Sequence, residues 1–217
     1  VEHNVQETLE NNSINIVFNI FEGDKNLVQR INVTGNNTTN EEVIRGELLI
    51  DEGDPLTKVN LDKSISKIKS RAIFKDVAYK ITDGEKNNLE IIDINVEEQS
   101  TGEISAGAGV GTSGGSLAFG IKENNWLGEG KSLGFDVELN KESLAGYLNY
   151  SDPNYDFLGN SLFYSFSSSK NDKPTQGYEN NIIAASVGTA FEQYKNVRVN
   201  LGLNASYDDL KTLTSAS

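Results

Sequence analysis

The chain has no cysteine, no methionine, a single histidine and three prolines in 217 residues. Without cysteine there are no disulfides, thiolate metal sites or cysteine nucleophiles, and the compartment is left open. With His3 as the one histidine, zinc sites and Ser-His-Asp triads lack parts. Positive charge is also scarce: 19 basic residues stand against 32 acidic ones, a formal net charge of −13. A general nucleic-acid binder needs a basic face, so nucleic acid is not an expected partner. No apolar run approaches the roughly 18 residues of a membrane-spanning helix. Barrel strands remain open, because their alternation hides in average composition. The opening Val1-Glu2-His3-Asn4 is polar and no initiator methionine is present, so the chain reads as an internal piece of a longer one.

Composition changes near residue 99. Residues 1–98 hold 30 charged residues, 5 glycines and 4 aromatics, while residues 99–217 hold 21, 15 and 14. A charged, glycine-poor part thus precedes a glycine- and aromatic-rich one, with the boundary at Gln99-Ser100-Thr101-Gly102.

The first part mixes strands and helices. Ser13–Phe21 alternates, with Ile14, Ile16, Phe18 and Ile20 on one face. Leu27–Thr34 reads as a second strand. Thr39 or Asn40 can cap a helix over Glu41–Leu49, whose first turn holds Glu41 and Glu42. Pro55 must end what precedes it, and Asn60 can cap a second helix over Leu61–Arg71. Phe74–Thr82 and Leu89–Glu98 alternate again around the Asp83–Asn87 turn. From residue 27 the order is strand, helix, helix, strand, strand. That predicts a small α+β domain with helices on one sheet face.

The second part is nearly all strand. Alternation runs through Glu103–Thr112, Ser116–Glu123, Ser132–Lys141, Leu144–Ser151, Ser161–Ser169, Ile182–Phe191 and Asn196–Tyr207. Val197, Val199, Leu201, Leu203 and Ala205 face Arg198, Asn200, Gly202, Asn204 and Ser206 across one strand. Such segments fit a transmembrane β-barrel, and by periodicity alone they fit a soluble sandwich equally well. Aromatics near segment ends, including Tyr147, Tyr150 and Tyr155, favour the membrane.

Candidate chemistry is thin. Gly109–Gly114 matches G-x-G-x-x-G, but a dinucleotide site needs a helix after it and here a strand follows. Asp51-Glu52-Gly53-Asp54 lacks the alternating spacing of a calcium loop and reads as a solvated turn. The sequons at Asn32, Asn37 and Asn204 are too short to count in an asparagine-rich chain. Nothing assembles into an enzyme, and no cofactor or metal is expected.

Several segments resemble the outer-membrane β-barrel assembly factor (BamA) family. Ile31–Asn36, then Val43–Glu47 and Glu52-Gly53, resemble the start of its last POTRA domain. Phe74–Val77 resembles that domain's second strand, and Val96–Gly102 the junction into the barrel. Glu123–Gly130 matches the N-W-L-G-x-G turn, and Ser151-Asp152-Pro153 a D/N-P-Y-F stretch. Asn154–Phe157 departs from that stretch, since the family more often has Tyr-Phe directly after the proline. The resemblance implies a strand-helix-helix-strand-strand POTRA domain over 26–99, preceded by the tail of another in 1–25. Residues 100–217 would then be about seven strands of an antiparallel barrel meander, with roughly half the barrel outside the sequence. The implied function is folding and insertion of β-barrel proteins, without enzymatic activity. The alternatives are a POTRA-barrel translocation pore and a soluble periplasmic binding module.

The resemblance also implies sites. The first barrel strand forms a weak seam in the family. A client strand would pair with Glu103, Ile104, Ser105, Ala106, Gly107, Ala108, Gly109, Val110 and Gly111. The POTRA edge would be Lys75, Asp76, Val77, Ala78, Tyr79, Lys80 and Ile81. Glu52 aligns with a glutamate that meets an accessory lipoprotein, although Leu49 stands where the family can carry arginine. Expected partners are unfolded outer-membrane clients, accessory assembly lipoproteins and outer-membrane lipid. The barrel is expected in the cell outer membrane and the POTRA domain in the periplasm.

Overall fold

A computed structural model describes residues 2–10, 13–21, 25–111, 114–156, 158–195 and 197–212. The described elements are strands β1 to β12, two helices and one 3-10 turn, Pro174–Gln176.

β1 (Glu2–Glu10) and β2 (Ser13–Phe21) form an antiparallel pair in which Glu2 faces Phe21. β2 has the expected bounds. β1 was not legible, because Val5 and Leu9 are its only large apolar residues and they do not alternate.

The α+β unit begins with β3 (Leu27–Thr34), followed by α1 (Glu41–Arg45) and α2 (Lys58–Ser70). β4 (Phe74–Asp83) and β5 (Leu89–Glu98) complete it. The sheet order is β3-β5-β4, with β5 parallel to β3 and antiparallel to β4. The two helices form the crossover that a parallel pair requires. Ile44, Leu61, Ile65 and Ile68 of the helices meet Val28, Ile31, Val77, Ile92, Ile94 and Val96 of the sheet in one buried cluster.

Both helices differ from the expected bounds. α1 stops at Arg45, because the amides of Glu47 and Leu48 bond back only three residues, to Ile44 and Arg45. α2 starts at Lys58, with extended Thr57 before it, and Asn60 lies inside it. Pro55 fixes an extended approach, so the turn can begin as soon as the chain leaves it. Asn40 stands at the start of α1 but makes no side-chain cap bond.

The second part is one seven-stranded antiparallel meander, ordered β6 to β12. Its strands are β6 (Gly102–Gly111), β7 (Gly114–Trp126), β8 (Lys131–Asn140), β9 (Ser143–Asp152), β10 (Ser161–Lys173), β11 (Tyr178–Tyr194) and β12 (Val197–Thr212). All seven expected segments are strands. β7 and the last three are clearly longer than expected, because pairing continues past the point where apolar alternation fades. Asn196, the first residue of the seventh expected segment, lies outside the described residues, as does Thr112.

The register separates two faces. Ile104, Ile121, Phe135, Leu148, Phe166, Ala185 and Ala205 lie side by side across the strands. The adjacent row is Glu103, Lys122, Gly134, Asn149, Ser165, Ser186 and Asn204. Ser165 and Ser186 hydrogen-bond through their hydroxyls at 2.6 Å, as residues on one face must. The apolar row is open: Ile104 is 76% exposed and Phe166 47%. A soluble sandwich buries its apolar face against a second sheet. Among the described residues no layer covers this one, and an apolar band of that width calls for lipid.

Two glycines test the backbone of the α+β unit. Gly35 has φ +91°, and a Cβ there would stand 1.9 Å from the Val96 carbonyl oxygen. Gly53 has φ +97° with nothing within 4 Å. Gly53→Ala therefore carries only the left-handed strain, about 1–2 kcal/mol. Gly35→Ala adds a backbone clash and should cost clearly more in urea unfolding. Equal costs for the two would contradict this packing.

Candidate functional site

No catalytic constellation is assembled among the described residues. Among the described residues no group of three His, Cys, Asp or Glu side chains converges as a metal site. Gly109 and Gly111 lie in β6 and Gly114 begins β7, so the glycine motif spans a hairpin. What the fold exposes is backbone, at strand edges and at one turn.

β6 is one end of the large sheet and pairs with β7 alone, from Gly102 opposite Glu123 to Gly111 opposite Gly114. Glu103 to Gly111 all lie in this strand. Ile104, Ala106, Ala108 and Val110 share the apolar face, while Ser105, Gly107, Gly109 and Gly111 share the polar one. The outer side of β6 has no partner among the described residues.

The small sheet has two edges, and they are treated differently. Among the described residues β4 pairs only with β5, so Lys75 to Ile81 lie on an edge of the small sheet. A register shift between Phe74 and Asp76 bulges the strand at Lys75. Lys75 contacts Glu97 at 2.6 Å, and Tyr79 donates to Asp62 at 2.8 Å. A bulge and charges protect an edge against self-association without filling it.

β3, the other edge, is closed by its own chain. The Val28 amide donates to Asp54 O at 2.9 Å, and the Gly53 amide to Val28 O at 2.7 Å. Further along, Ile31 meets two side chains. Its amide donates to Glu52 Oε1 at 3.0 Å, and its carbonyl accepts from Arg45 Nη2 at 2.7 Å. Arg45 also contacts Glu41 and Glu52, at 2.6 and 3.8 Å. Glu52 is thus engaged within the unit while its side chain stays half-exposed. The sequence resemblance gave no sign of this second duty.

The third feature is the turn between β7 and β8, residues 127–130. The Asn40 amide donates to Gly128 O at 2.8 Å. Asn125 Nδ2 donates to Thr39 Oγ1 at 2.9 Å in a buried contact. Arg71 Nη2 donates to Gly130 O at 2.7 Å. A Cβ on Gly128 would lie 2.2 Å from Thr38 O, and one on Gly130 2.4 Å from Arg71 Nη2. Both glycines have positive φ as well. The motif glycines are therefore dictated by close approach to the α+β unit. From the next turn, Asn154 Nδ2 donates to Gly46 O at 2.9 Å.

Charge supports this junction. Burial lowers the Arg71 pKa, and the nearby carboxylates of Glu47 and Asp152 oppose that. Arg71 stays a cation in any case, and buried Glu47 meets it at 3.3 Å and Lys67 at 3.1 Å. Glu98 ends β5 and accepts from the amides of Asn37, Thr38 and Thr39, the last at 2.7 Å. It thereby shapes the loop that receives Asn125 and Gly128.

An α+β unit of this strand order, hydrogen-bonded to a lipid-facing antiparallel meander, defines the class of POTRA-plus-barrel outer-membrane proteins. A POTRA model, described as a surface antigen variable number repeat, matches residues 27–99, and an Omp85 superfamily domain matches residues 125–217. The chain is BamA-like, carrying a match to a POTRA domain and a match to an Omp85 superfamily domain in that order. It is 28% identical over 215 residues to the outer membrane protein assembly factor BamA of Neisseria meningitidis serogroup B. That match covers 95% of this chain and 27% of the relative. BamA of Neorickettsia risticii is 26% identical, with 92% and 27% covered. The chain thus spans about a quarter of the length of these curated relatives. Among solved structures, BamA of Haemophilus ducreyi lacking POTRA domains 1–3 aligns with a TM-score of 0.76 at 24% identity. That alignment covers 98% of this chain and 41% of that one. CdiB of Acinetobacter baumannii aligns at 0.62 and 15% identity, with 97% and 43% covered. The strand meander belongs to the outer membrane and the POTRA domain to the periplasm.

The Glu98 contacts generate a pH dependence. Burial pushes its carboxyl up, but the bonds from Thr39, Thr38 and Asn37 outweigh burial and hold it below the ordinary glutamate value. A carboxyl lowered on folding stabilises fully above its unfolded pKa and stops doing so as pH falls through the lowered one. Acid titration of wild-type stability should show this loss below the ordinary glutamate range. Glu98→Gln should start less stable and lack that component. Parallel titration curves for the two proteins would contradict it.

Proposed function

We propose that this chain is part of a machine that folds and inserts β-barrel proteins into the outer membrane, with client strands pairing at β6. The observation that carries the reading is the glycine-rich composition of β6, the first strand of a lipid-facing sheet. Its curated relatives are named outer membrane protein assembly factors, which supports assembly as the activity. In hydrocarbon an unpaired amide or carbonyl costs several kcal/mol, so a strand arriving there is strongly held. Gly107, Gly109 and Gly111 give β6 little side-chain packing, which keeps the pairing exchangeable. The domains of this reading are a POTRA tail in 1–25, a POTRA domain in 26–99 and the barrel strands of 100–217.

The POTRA domain serves the same chemistry in water. With β3 closed by Arg45, Glu52 and the 53–56 segment, β4 is the edge left to accept an extended client. The loop Asp51–Pro55 is the proposed docking point for an accessory lipoprotein, through Glu52. A translocation pore, the second reading, shares the fold, as the CdiB likeness illustrates. The sequence relatives favour assembly.

Adjacent residues of a strand point their amides to opposite sides. Gly107→Pro and Ala108→Pro therefore remove one donor toward β7 and one toward the open edge. Both should cripple insertion of a client barrel into liposomes by the full-length protein, whereas Val110→Ile should be mild. Wild-type insertion by both proline variants would reduce β6 to an ordinary piece of wall.

Glu52 has two duties that substitution can separate. Glu52→Gln keeps an acceptor for the Ile31 amide and removes the charge, while Glu52→Lys removes both. Lipoprotein co-purification with full-length protein should fall in both variants. Hydrogen exchange at Ile31 should quicken only in Glu52→Lys. Unchanged co-purification in Glu52→Lys would remove the docking role.

A further inference from the structure

The β7–β8 turn has a second face. In the register of these strands Glu123 lies opposite Leu133, but Trp126 lies opposite Lys131. Asn124 and Asn125 thus share the place facing Ser132. The extra residue reverses the side to which everything after it points. Without it Asn125 would face outward opposite Lys131. With it Asn125 is free to reach Thr39, and Trp126 joins the outward face.

There Trp126 extends the lipid-facing band toward the periplasm. Leu133 and Tyr150 are paired on that face, and the Tyr150 and Tyr164 rings lie 5.9 Å apart. Trp126 is 41% exposed and Leu127, at the tip, is 74% exposed. Leu127 also holds a left-handed φ of +56°, a costly conformation for a branched side chain. A strained, exposed leucine beside an exposed indole gains nothing from water. An indole has an apolar body and one N–H donor, and it settles where acyl chains meet headgroups.

We propose that this turn is a bifacial anchor. Trp126 and Leu127 seat in the headgroup boundary of the periplasmic leaflet, while Asn125, Gly128 and Gly130 hold the POTRA domain. The occupant is bilayer lipid, because Trp126 shares the outward face with Leu133 and Tyr150, and its charged neighbours there, Glu123 and Lys131, suit the headgroup level. The membrane surface then helps set how tightly the POTRA domain docks. This stands independently of the insertion reading, since it needs only the membrane location.

The test uses full-length protein in phosphatidylethanolamine–phosphatidylglycerol liposomes containing brominated lipids. Subtracting the emission of Trp126→Phe from that of wild type isolates Trp126. Bromines high on the acyl chain should quench this difference at least twofold more than bromines near its end. No quenching, or stronger quenching by the deep bromines, overturns the proposal. The second readout is the distance distribution between spin labels at Lys63→Cys and Lys141→Cys in otherwise cysteine-free protein. Trp126→Ser combined with Leu127→Gly should at least double its width in liposomes. Leu127→Gly accommodates the left-handed backbone, so that single variant folds and should broaden the distribution in the same direction. Wild-type widths in both variants overturn the anchor.

Discussion

Hydrocarbon offers no hydrogen bonds, and most of this chain's design follows from that. Each strand of the meander must hand its amides and carbonyls to a neighbour, so β7 to β11 are paired on both sides. Side chains then matter by face alone. A row such as Ile104, Ile121, Phe135, Leu148 and Phe166 meets lipid, and the next row of Glu, Lys, Gly, Asn and Ser does not. A strand end of such a sheet is reactive in lipid in a way it is not in water. On the proposed reading, β6 uses that reactivity, and its glycines keep the attraction in the backbone.

Water changes the treatment of edges. In the periplasm an open edge is solvated, so its hazard is pairing with the wrong strand. β3 is shielded by a neighbouring segment and by a guanidinium and a carboxylate that satisfy Ile31 in place of a strand. β4 keeps its backbone open and carries a bulge and exposed charges. Two edges of one three-stranded sheet thus receive opposite solutions. On the proposed reading, β4 is the edge kept for a guest.

Local pattern carried most of the fold. Period-2 alternation marked all seven strands of the meander, and turn residues with helical spacing ordered the α+β unit. Periodicity could not separate a membrane sheet from a sandwich, because both have one apolar face. The curated BamA relatives and the likeness to a BamA structure separate them. β1 lacked alternation, and the start of α2 was misplaced because Asn60 resembles a cap while Pro55 controls the approach. The candidate edges were legible through family resemblance, not through composition. The bond from Ile31 to Glu52 spans 21 residues and that from Asn125 to Thr39 spans 86, so neither leaves a local signal. The bulge at Asn124 and Asn125 is equally silent, since a single added residue shows only against its partner strand.

That bulge explains why the turn's sequence is so constrained. Asn125 bonds to Thr39 with its amide nitrogen and accepts the Gly130 amide at 2.8 Å with its oxygen, so both ends of the side chain are used. Gly128 and Gly130 press against Thr38, Arg71 and Val43 too closely for any Cβ. Trp126 and Leu127, between them, stay exposed. Inserting or deleting one residue would exchange these roles, placing an asparagine in lipid and an indole against Thr39. The turn therefore tolerates neither a shift in length nor a swap of neighbours. Its fixed order of asparagine, indole, leucine and glycine follows from serving a protein surface and a bilayer surface within six residues.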